Sequence, residues 1–194
     1  MFGSIFCCFA YSLINAKYGD RFITLALFFT LIADFFLVIC TEQHRLWGMV
    51  FFLGAQTVYA IRLQRKCPHR GFLICRIALI ILAEAVTVAV LKDKTDMLAV
   101  VSLCYYANLI VSIFEGFGQL TVSKLFPLGM LLFLLCDTVI GLQIATGEYL
   151  PVVTDSVLSK ILYPGFNLAW LFYLPSQVLL ALCTLKKVKT EEIS

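Results

Sequence analysis

The sequence predicts an all-α, polytopic transmembrane helical bundle, one integral membrane domain over residues 1–194. Three observations predict it. The chain is 61% hydrophobic and 14% charged, where a soluble domain is near half apolar and a quarter charged. The apolar excess runs along the whole chain in seven stretches, most of them near the ~20 residues that a spanning helix needs. The basic residues between the stretches fall unevenly on two sides, which is the pattern that orients membrane helices.

The elements follow in order. Residues 2–15 are short for a span. They lack a basic start and a small-residue cleavage site, so they read as a retained helix and not a leader. Tyr18-Gly19-Asp20 separates them from residues 21–40, because glycine and aspartate favour turns. Residues 46–63 end before Cys67-Pro68-His69-Arg70-Gly71, and residues 71–91 end at Lys92-Asp93-Lys94. Residues 96–114, 124–145 and 164–185 complete the set. The connection from Gly147 to Lys160, with Pro151, is the longest. An eighth span would move only the N-terminus. No internal repeat of the transporter kind is visible.

Lys17, Arg21, Arg62, Arg65, Lys66, Arg70, Arg76, Lys124, Lys186, Lys187 and Lys189 fall on one side of this layout, against Arg45, Lys92, Lys94 and Lys160 on the other. The richer side is expected to be cytoplasmic, with the N-terminus out and the C-terminus in, as in a plasma (inner) membrane protein. The net charge of +3 is too small to argue for a nucleic-acid partner.

Within the apolar stretches a few residues stand out. Asp34 lies 13 residues beyond Arg21, and Asp137 lies 13 beyond Lys124. At 1.5 Å per residue each is about 20 Å deep. Glu84, 13 residues beyond Gly71, has the same expected depth. A carboxylate at the bilayer centre costs roughly 2.5–3.5 kcal/mol, so it is expected to face a partner or a cavity. No lysine or arginine is expected inside the spans to neutralise these acids. Gln56 and Tyr59 share a helix face three residues apart. Asn108, Asn167, Tyr173 and Gln177 add further polar groups, with Pro175 nearby. Each of these, taken singly, also has a plainer reading as interhelical glue, and Glu84 as a buried protonated acid.

Other chemistries find no support. There is no G-x-S-x-G or H-E-x-x-H pattern, no glycine-rich phosphate loop, and no lysine deep in the last stretch for a retinal linkage. The only histidines, His44 and His69, sit at helix ends. The eight cysteines show neither a disulfide frame nor zinc spacing, and Cys67 beside His69 lacks two further ligands. No metal or cofactor is expected.

Four stretches in order resemble the YhhN-like lysoplasmalogenase family of small multi-span membrane proteins. They are Ala33-Asp34-Phe35-Phe36-Leu37; FFLGAQTVYAI; Leu131 to Asp137, ending Cys136-Asp137; and Phe172-Tyr173-Leu174-Pro175-Ser176-Gln177-Val178-Leu179-Leu180-Ala181. The likeness covers roughly residues 21 to 185. Ala33 stands where the family usually has glycine, Cys136 where it has serine, and Gln56 where histidine is common; the family usually has eight spans.

The resemblance implies hydrolysis of the vinyl ether of lysoplasmalogens to a fatty aldehyde and a glycerophospho-alcohol. Vinyl ethers hydrolyse after protonation of the alkene carbon, which needs one protonated carboxyl and one carboxylate nearby. Asp34 and Asp137 are the expected pair. Gln56, Tyr59, Glu84, Asn108, Tyr173 and Gln177 are the expected substrate-binding groups, and lysophospholipid and membrane lipids the expected partners. The basic segment Arg62 to Arg76 reads as a topology determinant or an attractor of an anionic headgroup. Two other classes stay open at this point: a proton-coupled transporter with the acids as relays, and a non-catalytic lipid-binding protein.

Overall fold

The computed structural model describes residues 2–17, 19–40, 44–91, 96–120, 123–144 and 166–185. The expected connection Gly147 to Lys160 and the basic residues Lys92, Lys94, Lys160, Lys186, Lys187 and Lys189 lie outside them. Among the described residues the regular structure is entirely helical. The helices are α1 (Phe2–Asn15), α2 (Arg21–Asp34), α3 (Arg45–Lys66), α4 (Arg70–Leu91), α5 (Met97–Phe117), α6 (Leu125–Ile144) and α7 (Leu168–Leu182). A π-helical segment, Phe35–Ile39, prolongs α2. Five segments are long and apolar enough to cross a bilayer: Arg21–Ile39, Arg45–Lys66, Arg70–Ala89, Met97–Phe117 and Leu125–Ile144. The apolar helices α1 and α7 are shorter. The chain is a helical membrane bundle.

Local chemistry sets several helix ends. Asp20 caps α2 by accepting from Phe22 N (3.2 Å), and Asp96 caps α5 by accepting from Ala99 N (2.8 Å). Asn167, which the sequence placed inside a span, caps α7 through Ala169 N (3.1 Å). A short polar side chain at that position satisfies an amide that a new helix would otherwise leave unpaired.

The packing order is circular. α2 packs on α3, α3 on α5, α5 on α6, α6 on α7, and α7 returns to α2. α1 lies in the groove between α2 and α7, and α4 packs on the outside of α5. Small residues allow close approach: Ala26, Ala33, Ala55, Ala107, Ala169 and Ala181 are all buried. Small side chains let membrane helices gain dispersion contacts where the hydrophobic effect between helices is weak. Gly48 is such a point. A Cβ there would meet Leu37 Cγ at 2.6 Å, so a larger residue would have to displace the Leu37 side chain of the π-helical segment. The outer face of α4, including Ile74, Ile77, Ile81 and Leu82, is exposed and suits acyl chains.

Two ion-pair groups tie the bundle together at one end. Asp20 accepts from Arg62 Nε and Lys66 Nζ, both at 2.7 Å. Burial works against the Asp20 charge, but the two cations outweigh it and hold the carboxyl below its ordinary 3.8. A carboxyl lowered by folding contributes stability that is fully present above its unfolded value and is lost as pH falls through the folded one. Asp20→Asn keeps the cap and removes the charge. The variant is expected to unfold about 1–3 kcal/mol more easily at neutral pH, because Arg62 stays buried. Thermal unfolding followed from pH 7 downward should show the two proteins converging below pH 3.8, the ordinary Asp20 value.

The second group corrects the expectation that no cation lies inside the spans. Arg76, within α4, is only 7% exposed. Its guanidinium meets Glu115 Oε2 at 2.8 Å, Ser112 Oγ at 3.1 Å, and Asn108 through both its side-chain oxygen and its main-chain carbonyl. Gln64 of α3 donates to the other Glu115 oxygen at 2.6 Å. Arg76 therefore belongs to a buried network joining α3, α4 and α5, and not to a basic loop.

Candidate active site

The inner faces of the five-helix ring converge on Phe133 of α6. Its ring packs against Tyr105 of α5 (centroids 6.4 Å apart), Tyr173 of α7 (5.6 Å) and Phe52 of α3 (5.8 Å). Each of the two tyrosines carries an acid. Tyr173 donates its hydroxyl to Asp34 Oδ2 at 2.6 Å. Tyr105 donates its hydroxyl to Asp137 Oδ2. Two Asp–Tyr pairs from α2, α5, α6 and α7 thus share one aromatic neighbour. Asp34 is 6% exposed; Asp137 is partly buried.

The local sequence explains the placement. Asp34 is the last α-helical residue before the π-helical segment. There Cys40 N bonds Phe35 O at 3.2 Å, the wider i to i+5 closure. Such wide turns change the facing of the residues that follow and recur at functional sites. In α7, Pro175 has no amide to offer the Leu171 carbonyl one turn earlier, which leaves a main-chain acceptor close to Tyr173.

The remaining expected residues divide into two sets. Gln56 and Tyr59 of α3 and Gln177 of α7 are fully buried inside the ring. Both side-chain polar atoms of Gln56, both of Gln177, the Tyr59 hydroxyl and the Ser176 hydroxyl have no hydrogen-bond partner among the described residues. Buried polar atoms are almost always paired in folded proteins, so six unpaired ones on two helices mark a polar interior. Ser176, next to Gln177, was not singled out from sequence.

Glu84 and Asn108 have partners of their own away from the aspartates. Glu84 sits on the peripheral helix α4 and takes the Cys104 thiol at 3.1 Å. Asn108 is bound by Arg76. Neither joins the aspartates. The rotation of α4 and the inward turn of Arg76 send them to these other partners. Tyr105 is the principal residue that sequence reasoning missed. In CYYANLIVS it reads as one more interfacial aromatic, and only its burial at 3% exposure and its bond to Asp137 separate it from the others. Among the described residues no cluster of three or more His, Cys, Asp or Glu could hold a metal ion.

A closed ring of apolar helices holding two carboxyls, one buried and one partly buried, each tied to a tyrosine, defines a polytopic membrane protein with an acidic site in its interior. The chain belongs to the YhhN family, whose sequence profile matches residues 2–184. No curated protein and no solved structure matches it.

Proposed function

We propose that this protein is an intramembrane lipid hydrolase that cleaves the vinyl ether bond of lysoplasmalogens, giving a fatty aldehyde and a glycerophospho-alcohol. The observation that carries the reading is the pair of tyrosine-bound aspartates, Asp34 and Asp137, around Phe133 in an apolar ring. Membership of the YhhN family supports it.

The chemistry uses one carboxyl as acid and the other as carboxylate. The acid transfers its proton to the alkene carbon distant from the ether oxygen, and the oxygen lone pair stabilises the resulting oxocarbenium ion. The carboxylate stabilises that cation and takes a proton from the attacking water. The hemiacetal then breaks its bond to the glycerol oxygen, which leaves as the alcohol, and the aldehyde remains. A low-dielectric surround strengthens each of these charge interactions. Tyr105 and Tyr173 orient the carboxyls. Gln56, Tyr59, Ser176 and Gln177 hold the water or the substrate's sn-2 hydroxyl. In this reading all seven helices sit in the plasma membrane, with the N-terminus outside and the C-terminus in the cytoplasm.

The direct test is incubation of purified protein with lysoplasmenyl lipid, reading aldehyde release. No aldehyde, together with substrate-dependent flux in sealed liposomes, would turn the reading to a transporter. An intact lipid that stays bound would turn it to a lipid-binding protein.

The unpaired amides allow a sharper experiment. A buried amide without a partner costs about 1–3 kcal/mol, so Gln56→Leu and Gln177→Leu are expected to unfold at the same temperature or higher. Turnover is expected to fall about tenfold in each, the kinetic equivalent of one lost hydrogen bond to water or substrate. Unchanged turnover with raised stability would leave the two glutamines without a part in the reaction.

A further inference from the structure

A cavity of about 970 Å³ opens at the end of the bundle where α2 and α6 begin and α3 and α7 end. Its lining includes Arg21, Arg62, Arg65, Lys66 and Lys124, with Asp20 as the one acid among the described residues. Asp20 is shared by Arg62 and Lys66. Arg21, Arg65 and Lys124 have no carboxylate partner among the described residues, and all three are exposed. A topology signal alone requires basic residues on one side of the membrane. It does not require them to line a concave chamber.

Two of the lining cations are packed on aromatic rings. Arg62 is buried and lies over the Phe126 ring at 4.3 Å, and Arg65 lies over Phe22 at 5.0 Å. Stacking on an aromatic face restrains a guanidinium and leaves its edge free to donate. Leu125, Leu182 and Leu185 make part of the lining apolar. Concentrated positive charge in a low-dielectric concavity focuses the field on an anion, and the volume is that of a small-ligand site.

We infer that this chamber binds the phosphate headgroup of an anionic phospholipid from the surrounding leaflet, at a site separate from the aspartates. Arg62 and Lys66 form its anchored floor, Arg21, Arg65 and Lys124 its donors, and the leucines the seat for the glycerol end of the lipid. The separation is set by helix geometry. Asp34 is 13 residues beyond Arg21 and Asp137 is 13 beyond Lys124, so the two sites are about 20 Å apart along the bundle. In a lysophospholipid the phosphate is only about 7 Å from the sn-1 oxygen at ordinary bond lengths. One molecule therefore cannot hold its phosphate in this chamber and its vinyl ether at the aspartates. The inference stands whether or not the protein is a hydrolase.

The test uses the full chain in neutral detergent with diacyl phosphatidylglycerol, which has no vinyl ether to cleave. Phosphatidylcholine of the same acyl chains, and inorganic phosphate, are the comparison ligands. Thermal unfolding and native mass spectrometry provide the two readouts. Phosphatidylglycerol is expected to raise the unfolding temperature saturably and to remain bound in the mass spectrometer, with phosphatidylcholine doing neither. The Arg65→Gln/Lys124→Gln double variant replaces two exposed side chains. It is expected to weaken the apparent Kd about tenfold or more, since each cation facing an anionic headgroup contributes several-fold. Raised salt should weaken wild-type binding in the same direction. Equal stabilisation by phosphatidylcholine, or an unchanged Kd in the double variant, overturns the site. An equal shift with inorganic phosphate alone overturns the lipid assignment and makes free phosphate the ligand.

Discussion

Asp34→Asn and Asp137→Asn are each expected to reduce hydrolysis of lysoplasmenyl lipid by at least about 10²–10⁴-fold, the usual contribution of a positioned acid or base. Each substitution preserves volume and still offers an oxygen to its tyrosine, so both variants should fold and unfold close to the wild-type temperature. Loss of turnover in both, with stability retained, is the signature of two groups acting on one substrate. Full activity in either would remove the aspartate pair as the seat of the reaction. Tyr105→Phe and Tyr173→Phe give a graded contrast. Each removes the hydroxyl that holds one carboxyl and leaves the carboxyl itself, so turnover should drop by about tenfold. A pH–rate profile measured on each tyrosine variant should move relative to wild type, because the hydrogen bond acts directly on the titrating group. A merely structural role would leave that profile in place.

The largest stability effect is expected at the Arg76–Glu115 pair between α4 and α5. Glu115 is 1% exposed and faces the buried Arg76 guanidinium at 2.8 Å. Glu115→Gln leaves that guanidinium without its counter-charge and should destabilise the protein by about 3–5 kcal/mol. Unfolding in detergent measures this. Replacing both partners by apolar residues, as in Arg76→Met/Glu115→Leu, should recover most of the loss, because no unpaired charge then remains. A double-mutant cycle yields the coupling, expected at about 2–3 kcal/mol. Since the network binds α4 to α5 and reaches α3 through Gln64, the single variant should also raise proteolytic cutting near α4. Failure of the double replacement to recover stability would place the cost in packing and not in charge.

The two results bear on different parts of the sequence reading. The acids Asp34 and Asp137 were legible because charge is rare in apolar stretches and depth follows from a constant rise per residue. Arg76 was misread for a related reason. Near a helix end, a long cationic side chain can reach outward to the aqueous face or inward to the bundle, and hydropathy does not distinguish the two. Asn167 looked like a span residue until its bond to Ala169 N made it the cap of α7. The helix limits followed from local composition, to within a few residues. The longest departure was in α7, expected over 164–185 and found at Leu168–Leu182, where Asn167 caps the start; α3 runs on past 63 to Lys66, with Arg62 and Lys66 both paired to Asp20.

The amino-acid sequence by itself determined the solvent, the helical class, the approximate helix limits and the presence of two acids inside apolar helices, because each depends on composition or on periodicity within a single segment. Tertiary structure alone decided which groups meet. Tyr173 reaches Asp34 across 139 positions of chain. Tyr105 reaches Asp137, Phe133 touches both tyrosines, and Glu84 and Asn108 turn to other partners. Those pairings depend on the rotation of each helix about its own axis and on the order of helices around the ring. Packing of all the small and aromatic side chains together sets both.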